Sequence, residues 1–226
     1  MHGRSRGRLP ARHPGGARRR LRPLRRRGAL LVADVRDLAG LRQAVALAEE
    51  RFGGVDAAVA GAAVIAGGSD AWDTDEKTWQ VLLDVDVLGV AHLVQAAVPA
   101  MLRRPEPRNG RFVAIASAAG HHGLWRLSAY NAAKHAVVGL VRGLAADLRG
   151  TGVTATTVSP GSTRTPMLDA TARLYGLESV EEFTGHQLTE RLLDPDEVAA
   201  PIAWLCSRES AAVTGSVVHP DGGFTG

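Results

Sequence analysis

The sequence predicts an α/β fold in which a doubly wound parallel sheet lies between two layers of helices. From residue 28 onward, short apolar runs alternate with longer segments whose apolar residues recur at helical spacing. The short runs are apolar throughout, which indicates strands buried on both faces, as in parallel sheets covered by helices. The 226 residues, of which 45% are apolar and 22% charged, suffice for one domain with a sizeable core.

The predicted elements follow one another from residue 29. The run "ALLVAD" (29–34) is the first predicted strand, and "DLAGLRQAVALAEERF" (37–52) is a helix. A buried strand, "VDAAVAGAAV" (55–64), precedes a long helix over residues 74–104, which begins with a Thr cap and acids. The later elements are a strand within "GRFVAIASAAG" (110–120), a helix over 128–149, a strand "VTATTVSPG" (153–161), an irregular segment to about Leu193, a helix over 195–207 and a last strand "SVVHP" (216–220).

Residues 1–27 differ in composition from the rest of the chain. They hold eleven arginines, three prolines and no acidic residue, and they lack Val, Ile, Thr, Phe, Tyr and Trp. We therefore predict a disordered, arginine-rich head attached to a body, residues 28–226, whose formal net charge is −7. Three interpretations of the head stay open: an arm that binds nucleic acid or another polyanion, a targeting peptide, or an artefact of a wrong start or a shifted reading frame. We favour the artefact.

The composition argues against several classes of protein. The single cysteine, Cys206, excludes an internal disulfide and is typical of a reducing cytoplasm, where we expect a cytoplasmic protein. The longest apolar stretch, around residues 87–102, is interrupted by a histidine and a glutamine, so we predict no membrane span. His121 and His122 have no further ligands at metal spacing, so we predict no metal site.

The stretch "SAYNAAKHAVVGL" (128–140) carries the first catalytic candidates. Tyr130 and Lys134 lie four residues apart on a predicted helix, so their side chains lie one turn apart on the same face. An ammonium near a tyrosine hydroxyl favours the phenolate and helps the tyrosine exchange a proton with an alcohol. Ser117 ends the preceding strand, at the edge of the sheet where ligands bind, and its hydroxyl is placed to hold the same substrate oxygen. The turn "SPGSTRT" (159–165) follows the next strand at that edge and offers groups that suit a planar carboxamide.

In order and spacing these motifs resemble the short-chain dehydrogenases/reductases, NAD(P)-dependent enzymes with a Rossmann-like fold that interconvert alcohols and carbonyls. The resemblance covers about residues 28–223: "ADVRD" is similar to the end of the family's adenine-site strand, "SAYNAAKHA" to its YxxxK helix, "PGSTRT" to its nicotinamide loop and "VTGSVVHPDGG" to its C-terminal signature. It implies catalytic roles for Ser117, Tyr130 and Lys134. The implied cofactor contacts are Asp34, Val35, Ala60, Gly61, Ala62, Tyr130, Lys134, Pro160, Gly161, Thr163 and Thr165.

The resemblance also implies ligands and partners. We expect NAD as the cofactor, with NADP still open, a small-molecule alcohol or ketone as the substrate, and a homo-oligomer, either a dimer or a homotetramer. The segments "DAAVAGAAVIAGG" and "VSPGSTRTPMLDATARLYGL" are similar to the mycofactocin-coupled subfamily, which implies tightly held NAD and a redox partner that reoxidises bound NADH. Six residues in segments that would cover the site either line an apolar pocket or simply pack: Trp125, Met167, Leu174, Tyr175, Leu177 and Phe183.

The chain departs from the family pattern in three places. No TGxxxGxG turn precedes Asp34, so the opening strand, the glycine-rich turn and the second strand of the family are missing. "ALLVAD" then either pairs directly with "VDAAVAG" or leaves an apolar strand edge exposed, and we expect weak stability and poor cofactor binding. The sequence AGAA over Ala60–Ala63 replaces the usual NNAG. Asp86 takes the place of an asparagine that supports a proton relay to the lysine, which makes it a candidate relay residue.

Three functional hypotheses follow. The first is hydride transfer between a nicotinamide cofactor and an alcohol or ketone. The second is a non-catalytic member of the family whose truncated nucleotide half no longer binds cofactor. The third is a polyanion binder that works through residues 1–27, although the body has no recognisable nucleic-acid module. Cofactor binding separates the first two, and a steeply salt-dependent affinity for nucleic acid that is lost with residues 1–27 identifies the third.

Overall fold

A sheet of parallel strands forms the centre of the fold. The computed structural model describes residues 28–225, so the predicted head at residues 1–27 lies outside the described part of the chain. Within residues 28–225, the strands lie across the sheet in chain order: β1 (Ala57–Ala60), β2 (Arg111–Ile115), β3 (Thr154–Val158) and β4 (Val217–Val218). Each strand pairs in parallel with the next, so the predicted parallel sheet is confirmed.

One helix precedes the first of these strands, and further helices connect each strand to the next. They are α1 (Leu38–Phe52), α2 (Glu76–Leu82), α3 (Gly89–Leu102), α4 (Ser128–Asp147), α5 (Pro166–Tyr175) and α6 (Pro195–Leu205). Shorter 3-10 segments lie at Ala71–Asp73, Ala118–Gly120, Val180–His186 and Arg208–Ser210. Local chemistry sets the ends of α1: the Asp37 carboxylate accepts a hydrogen bond from the Ala39 N–H, and Gly53, at a φ of 80°, closes the helix in the left-handed region that favours glycine.

The helices cover both faces of the sheet. Successive side chains of β2 point to opposite faces. Phe112 and Ala114 pack in the larger core with residues of α3 and α4, whereas Val113 packs with Leu205 of α6 on the other face. Val137 of α4 is fully buried in the larger core. The predicted arrangement of helix, sheet and helix layers is therefore present.

The predicted long helix over residues 74–104 is present as one continuous helical stretch, Glu76–Leu102, but it is not α-helical throughout. Between α2 and α3 the chain forms a π-helical turn, Leu83–Leu88. Such turns are rare and are often found at functional sites; this one contains the buried Asp86. The expected Thr cap is also wrong, because the cap is Asp75, whose carboxylate accepts a hydrogen bond of 2.7 Å from a backbone N–H in the first turn of α2, while the Thr74 hydroxyl bonds a backbone carbonyl.

One helical stretch among the described residues is long and apolar enough to cross a membrane. It runs over Glu76–Leu102, 27 residues, and its mean hydropathy reaches 1.8. The core helices of soluble proteins pass the same test, and α3, which forms its second half, packs against α1 and the sheet. The absence of a membrane span therefore stays a prediction.

Two further sequence predictions about local structure are wrong. Residues 29–34 form no strand, because a strand needs a neighbour for its backbone groups, and this segment pairs with none of the described strands. Of the two predicted outcomes, direct pairing of the two strands or an exposed strand edge, the described residues show the second. β1 is an edge strand of the sheet, and its Val59 is 41% exposed. The segment between β3 and Leu193 is not irregular throughout, because Thr165 caps α5 and Gly176 ends it at a φ of 67°.

Candidate active site

Two loops meet at the carboxyl edge of the sheet. One follows β2 and contains Ser117, and the other follows β3 and contains Pro160 and Gly161. A hydrogen bond of 2.9 Å joins them, donated by the Ala118 N–H to the Pro160 carbonyl. Tyr130 lies in the first turn of α4, the helix that follows the first loop. This is the edge at which ligands bind in parallel α/β sheets.

A cavity of about 940 Å³, here called the site cavity, opens at this edge. Its wall contains eight of the predicted site residues: Gly61, Ser117, Tyr130, Lys134, Pro160, Gly161, Thr163 and Thr165. The other five predicted site residues are not part of the wall: Asp34, Val35, Ala60, Ala62 and Asp86. The catalytic candidates and the nicotinamide-loop candidates therefore come together, whereas the adenine-site candidates do not join them.

Local structure holds Ser117 and Tyr130 in place. The Ser117 Oγ accepts a hydrogen bond of 3.2 Å from the Ala119 N–H, which leaves the hydroxyl proton free to donate. Tyr130 is 5% exposed, and its hydroxyl lies 4.0 Å from the Sδ of Met167. A thioether sulfur is a weak acceptor, so the oxygen of a substrate is a better partner for this hydroxyl. The Tyr130 hydroxyl therefore has no strong hydrogen-bond partner among the described residues.

Lys134, which lies in the cavity wall, is engaged in a buried ion pair. Its Nζ lies 2.9 Å from Oδ2 of Asp86, and the two side chains are 2% and 0% exposed. The contact lacks hydrogen-bond geometry, so Oδ2 accepts no hydrogen bond within the described structure, whereas Oδ1 accepts one of 2.9 Å from the Val64 N–H. The same Nζ lies 5.4 Å from the centre of the Tyr130 ring. The predicted pairing of tyrosine and lysine is present, and a carboxylate has joined it.

The two predicted adenine-site residues have other partners. Arg36 Nη2 lies 2.6 Å from Asp34 Oδ2, and the hydrogen bonds from Arg36 lower the pKa of Asp34 to about 2. The Val35 carbonyl lies 2.9 Å from Nδ1 of His92 on α3. A Cβ at Gly89 would come within 2.7 Å of Val35 Cγ2, so only glycine permits this approach. These contacts join the segment before α1 to the start of α3.

Aromatic and aliphatic side chains form the outer wall of the site cavity. Five of the six predicted covering residues belong to it: Trp125, Met167, Tyr175, Leu177 and Phe183. Leu174 instead packs against Gly68. The Tyr175 hydroxyl donates a hydrogen bond of 2.7 Å to the Trp125 carbonyl, and burial raises the pKa of Tyr175 to about 12. The covering segments are thus joined to each other as well as to the cavity.

Two polar residues that line the site cavity were not predicted from the sequence. Glu182 and His186 line the site cavity from the 3-10 segment after α5, a region with no recognisable pattern. His121 Nε2 lies 2.9 Å from the Ser159 Oγ, and its ring centre lies 4.6 Å from that of His219. Burial, followed by the charge of His219, lowers the pKa of His121. Among residues 28–225, no group of three or more His, Cys, Asp or Glu side chains is arranged to hold a metal ion.

Comparison with known proteins identifies the family. The family model described as enoyl-(acyl carrier protein) reductase matches residues 13–225. A putative ketoacyl reductase of Streptomyces coelicolor is 33% identical over 226 residues, which cover 95% of this chain and 85% of that protein. The chain belongs to the short-chain dehydrogenase/reductase family. The (-)-trans-carveol dehydrogenase of Rhodococcus erythropolis is 32% identical over 213 residues, which cover 89% of this short-chain dehydrogenase/reductase and 76% of the relative.

Solved structures share the fold of this short-chain dehydrogenase/reductase. A variant of the actinorhodin polyketide ketoreductase with NADPH superposes with a TM-score of 0.77 at 33% identity, covering 84% of this chain and 75% of that one. The ligand-free aldohexose dehydrogenase of Thermoplasma acidophilum gives a TM-score of 0.78 at 26% identity, with 85% and 76% covered. The predicted family and the Rossmann-like fold are confirmed. The mycofactocin-coupled subfamily and the missing N-terminal segment stay predictions.

Proposed function

We propose that this oxidoreductase uses NAD or NADP to interconvert an alcohol and a carbonyl compound by hydride transfer. The observation that carries the proposal is the convergence of Ser117, Tyr130 and Lys134 in the wall of one cavity at the carboxyl edge of a parallel sheet. Membership of a family whose relatives are named as a ketoacyl reductase and a carveol dehydrogenase supports it.

The residues at this edge fit the nicotinamide end of such a cofactor. The loop after β3 brings Pro160 and Gly161 into the cavity wall together with Thr163 and Thr165, so backbone groups and side-chain hydroxyls are available for a carboxamide. Gly61 at the end of β1 leaves room for close approach, since a Cβ there would meet only a side-chain atom at 3.5 Å. One related structure contains NADPH and another relative is named as NAD-dependent, so either nucleotide is consistent with the site.

The protein side chains supply the proton and the orientation. When bound, the nicotinamide ring supplies hydride to a carbonyl carbon or accepts hydride from an alcohol carbon. Ser117 donates its hydroxyl proton in a hydrogen bond to the substrate oxygen. Tyr130 gives its phenolic proton to the same oxygen during reduction and takes it back during oxidation. Lys134, whose Nζ lies 5.4 Å from the Tyr130 ring centre, favours the phenolate that remains.

The substrate that we propose is uncharged and apolar around its reacting group. The part of the site cavity nearest the Tyr130 hydroxyl is walled by Met167, and the outer wall adds Trp125, Leu177 and Phe183. Burying apolar surface against such a wall contributes about 25 cal/mol per Å². Carveol, the alcohol in the name of one relative, is a molecule of this class.

Replacing Tyr130 with phenylalanine tests the proposed function. Nicotinamide absorbance is followed with the full chain, NADH or NADPH, and a panel of apolar cyclic ketones such as carvone and cyclohexanone. We expect Tyr130→Phe to lower kcat by about 10²-fold or more, because the proton donor is lost. The melting temperature should stay close to that of the wild type, since within residues 28–225 the hydroxyl donates a hydrogen bond only to a thioether.

Tyr175→Phe is the matched control, because it removes the hydroxyl of the other tyrosine in the chain. Its expected effect is confined to KM, since the lost hydrogen bond joins wall segments and not the reacting atoms. A Tyr130→Phe protein that keeps more than a tenth of the wild-type kcat would overturn the assignment of Tyr130 as the proton donor.

Two expectations about partners stay proposals. We propose that the enzyme works as a homo-oligomer, which light scattering on the purified chain measures directly.

We also propose that bound NADH is reoxidised in place by a redox partner, in line with the resemblance to the mycofactocin-coupled subfamily. Nucleotide that stays with the protein through purification supports the second proposal, and nucleotide that exchanges within seconds contradicts it.

A further inference from the structure

The charge of the site lysine is cancelled by a carboxylate that lies outside the cavity wall. Lys134 and Asp86 are both fully buried, and their charged atoms are 2.9 Å apart. Asp86 reaches this position from the π-helical turn between α2 and α3, and the Val64 N–H fixes its second oxygen. The pair as a whole has no net charge, and little water is present to screen one partner from the other.

The Asp86 carboxylate changes the electrostatic potential at the Tyr130 hydroxyl. Lys134 is the one lysine or arginine in the described wall of the site cavity, whose other ionisable side chains are Tyr130 itself, Tyr175, Glu182 and His186. A lone ammonium at this position would favour the phenolate strongly. With the Asp86 carboxylate 2.9 Å away, the ammonium acts as one end of a dipole, and its effect on the phenolate is smaller.

We propose that Asp86 is a positioning residue that holds the Lys134 ammonium against the π-helical turn and cancels its charge, so that Tyr130 gives up its proton only at a higher pH than the lysine alone would allow. The inference rests on the proposed function, because it concerns the residue assigned there as the proton donor. The enzyme is thereby tuned toward the protonated tyrosine, the form that carbonyl reduction requires.

The size of the effect follows from the separation of the charges. The 2.9 Å between the two charged atoms and the 5.4 Å from the Lys134 Nζ to the Tyr130 ring centre place the carboxylate no more than about 8 Å from that ring centre. At an effective dielectric constant of about 20, a unit charge at this separation moves a titration midpoint by between about one and two pH units.

The tyrosinate absorbance of the cofactor-free protein measures this directly. The chain has two tyrosines, and Tyr175 ionises only at about pH 12, because burial raises its pKa. Absorbance recorded between about pH 6 and pH 11 therefore reports Tyr130, and the Tyr130→Phe variant provides the blank. We expect Asp86→Asn to lower the tyrosinate midpoint by about one to two pH units.

A second variant keeps the test decisive if Asp86→Asn does not fold, since that substitution leaves a buried ammonium without its partner, which is strongly destabilising. Lys134→Met replaces the pair with an apolar side chain and a carboxyl group that is free to take up a proton, so the net charge near Tyr130 stays at zero. We expect its tyrosinate midpoint to stay within about half a pH unit of the wild type. A rise of more than about one unit in Lys134→Met, or an unchanged midpoint in folded Asp86→Asn, would overturn the proposal.

The outcome is separable from that of the proposed function, because the titration needs neither cofactor nor substrate. In the active enzyme the same inference predicts a shift in the pH dependence of kcat for alcohol oxidation. Asp86→Asn should move the acidic limb of that pH profile to lower pH by about one to two units. A purely structural role for Asp86 would lower the melting temperature and leave both midpoints in place.

Discussion

Replacing Gly161 with alanine should damage both the stability of the fold and the site. Gly161 lies in the loop after β3, and a Cβ built on it would overlap the Asp221 carbonyl oxygen and the Gln187 side-chain oxygen, with the Asp221 carbonyl carbon only 2.9 Å away. The Gly161 N–H also donates a hydrogen bond of 3.4 Å to the Pro220 carbonyl. Since part of the obstacle is backbone, the loop itself has to move.

The magnitude follows from the cost of overpacking, about 1–3 kcal/mol. For a chain of this length, each kcal/mol lowers the melting temperature by about 2–4 °C, so we expect a decrease of roughly 2–12 °C. The displaced loop carries the Pro160 carbonyl, which accepts the hydrogen bond that joins it to the Ser117 loop. Because a misplacement of about 1 Å can cost about 10²-fold in rate, kcat should fall at least tenfold.

Thermal unfolding and steady-state kinetics of Gly161→Ala check this prediction, with Gly139→Ala as the control. Gly139 lies on the exposed face of α4, and a Cβ there would meet no atom within 4 Å. Alanine is favoured over glycine in a helix by about 1 kcal/mol, so the control should melt slightly higher than the wild type. If Gly161→Ala melted as high as Gly139→Ala and kept the wild-type kcat, the steric reasoning about the loop would be refuted.

Two further predictions concern ligand binding and pH. At a concentration 100 times its dissociation constant, NAD or NADP should stabilise the purified chain by about 2.7 kcal/mol, which raises the melting temperature by roughly 5–11 °C; no shift with either nucleotide in a cooperatively melting protein contradicts the proposed function. Because the folded-state pKa of His121 lies below that of the unfolded chain, the unfolded chain binds more protons between the two values, so stability present above about pH 6.5 is lost as the pH falls. Denaturant unfolding of His121→Asn should show a smaller loss between about pH 7 and pH 5, and an unchanged loss contradicts the assignment to His121.

Regular local chemistry made much of the fold predictable from the sequence. The apolar spacing of residues 37–52 predicts a helix that the structure places at Leu38–Phe52, with Asp37 as its cap and Gly53 as its end. The run at 29–34 has strand composition and no strand, because pairing depends on a neighbour that lies far away in sequence. Strand composition therefore suggests where a strand can form, but it does not decide whether the segment finds a neighbouring strand to pair with.

The site was predictable to the extent that it follows from topology. Ser117 and the loop at Pro160 lie beyond consecutive strands of a parallel sheet, so their meeting follows once the strands are assigned. The direct pairing of Asp86 with Lys134 could not be predicted in the same way. It depends on a π-helical turn, and a helix of uniform pitch over residues 74–104 gives no indication of that turn.

Tyr130 and Lys134 are buried within the fold, and this bears on the choice between an enzyme and a non-catalytic member of the family. Tyr130 packs in a cluster with Leu82, Ala119 and Ala133, all of them fully buried. Gly61 instead follows β1, the strand with the exposed edge. Because the core fixes the relative positions of the catalytic side chains, their geometry is compatible with weak nucleotide binding as well as with strong binding. Intact geometry at Tyr130 is therefore expected under both hypotheses, and only a measured affinity for NAD or NADP separates them.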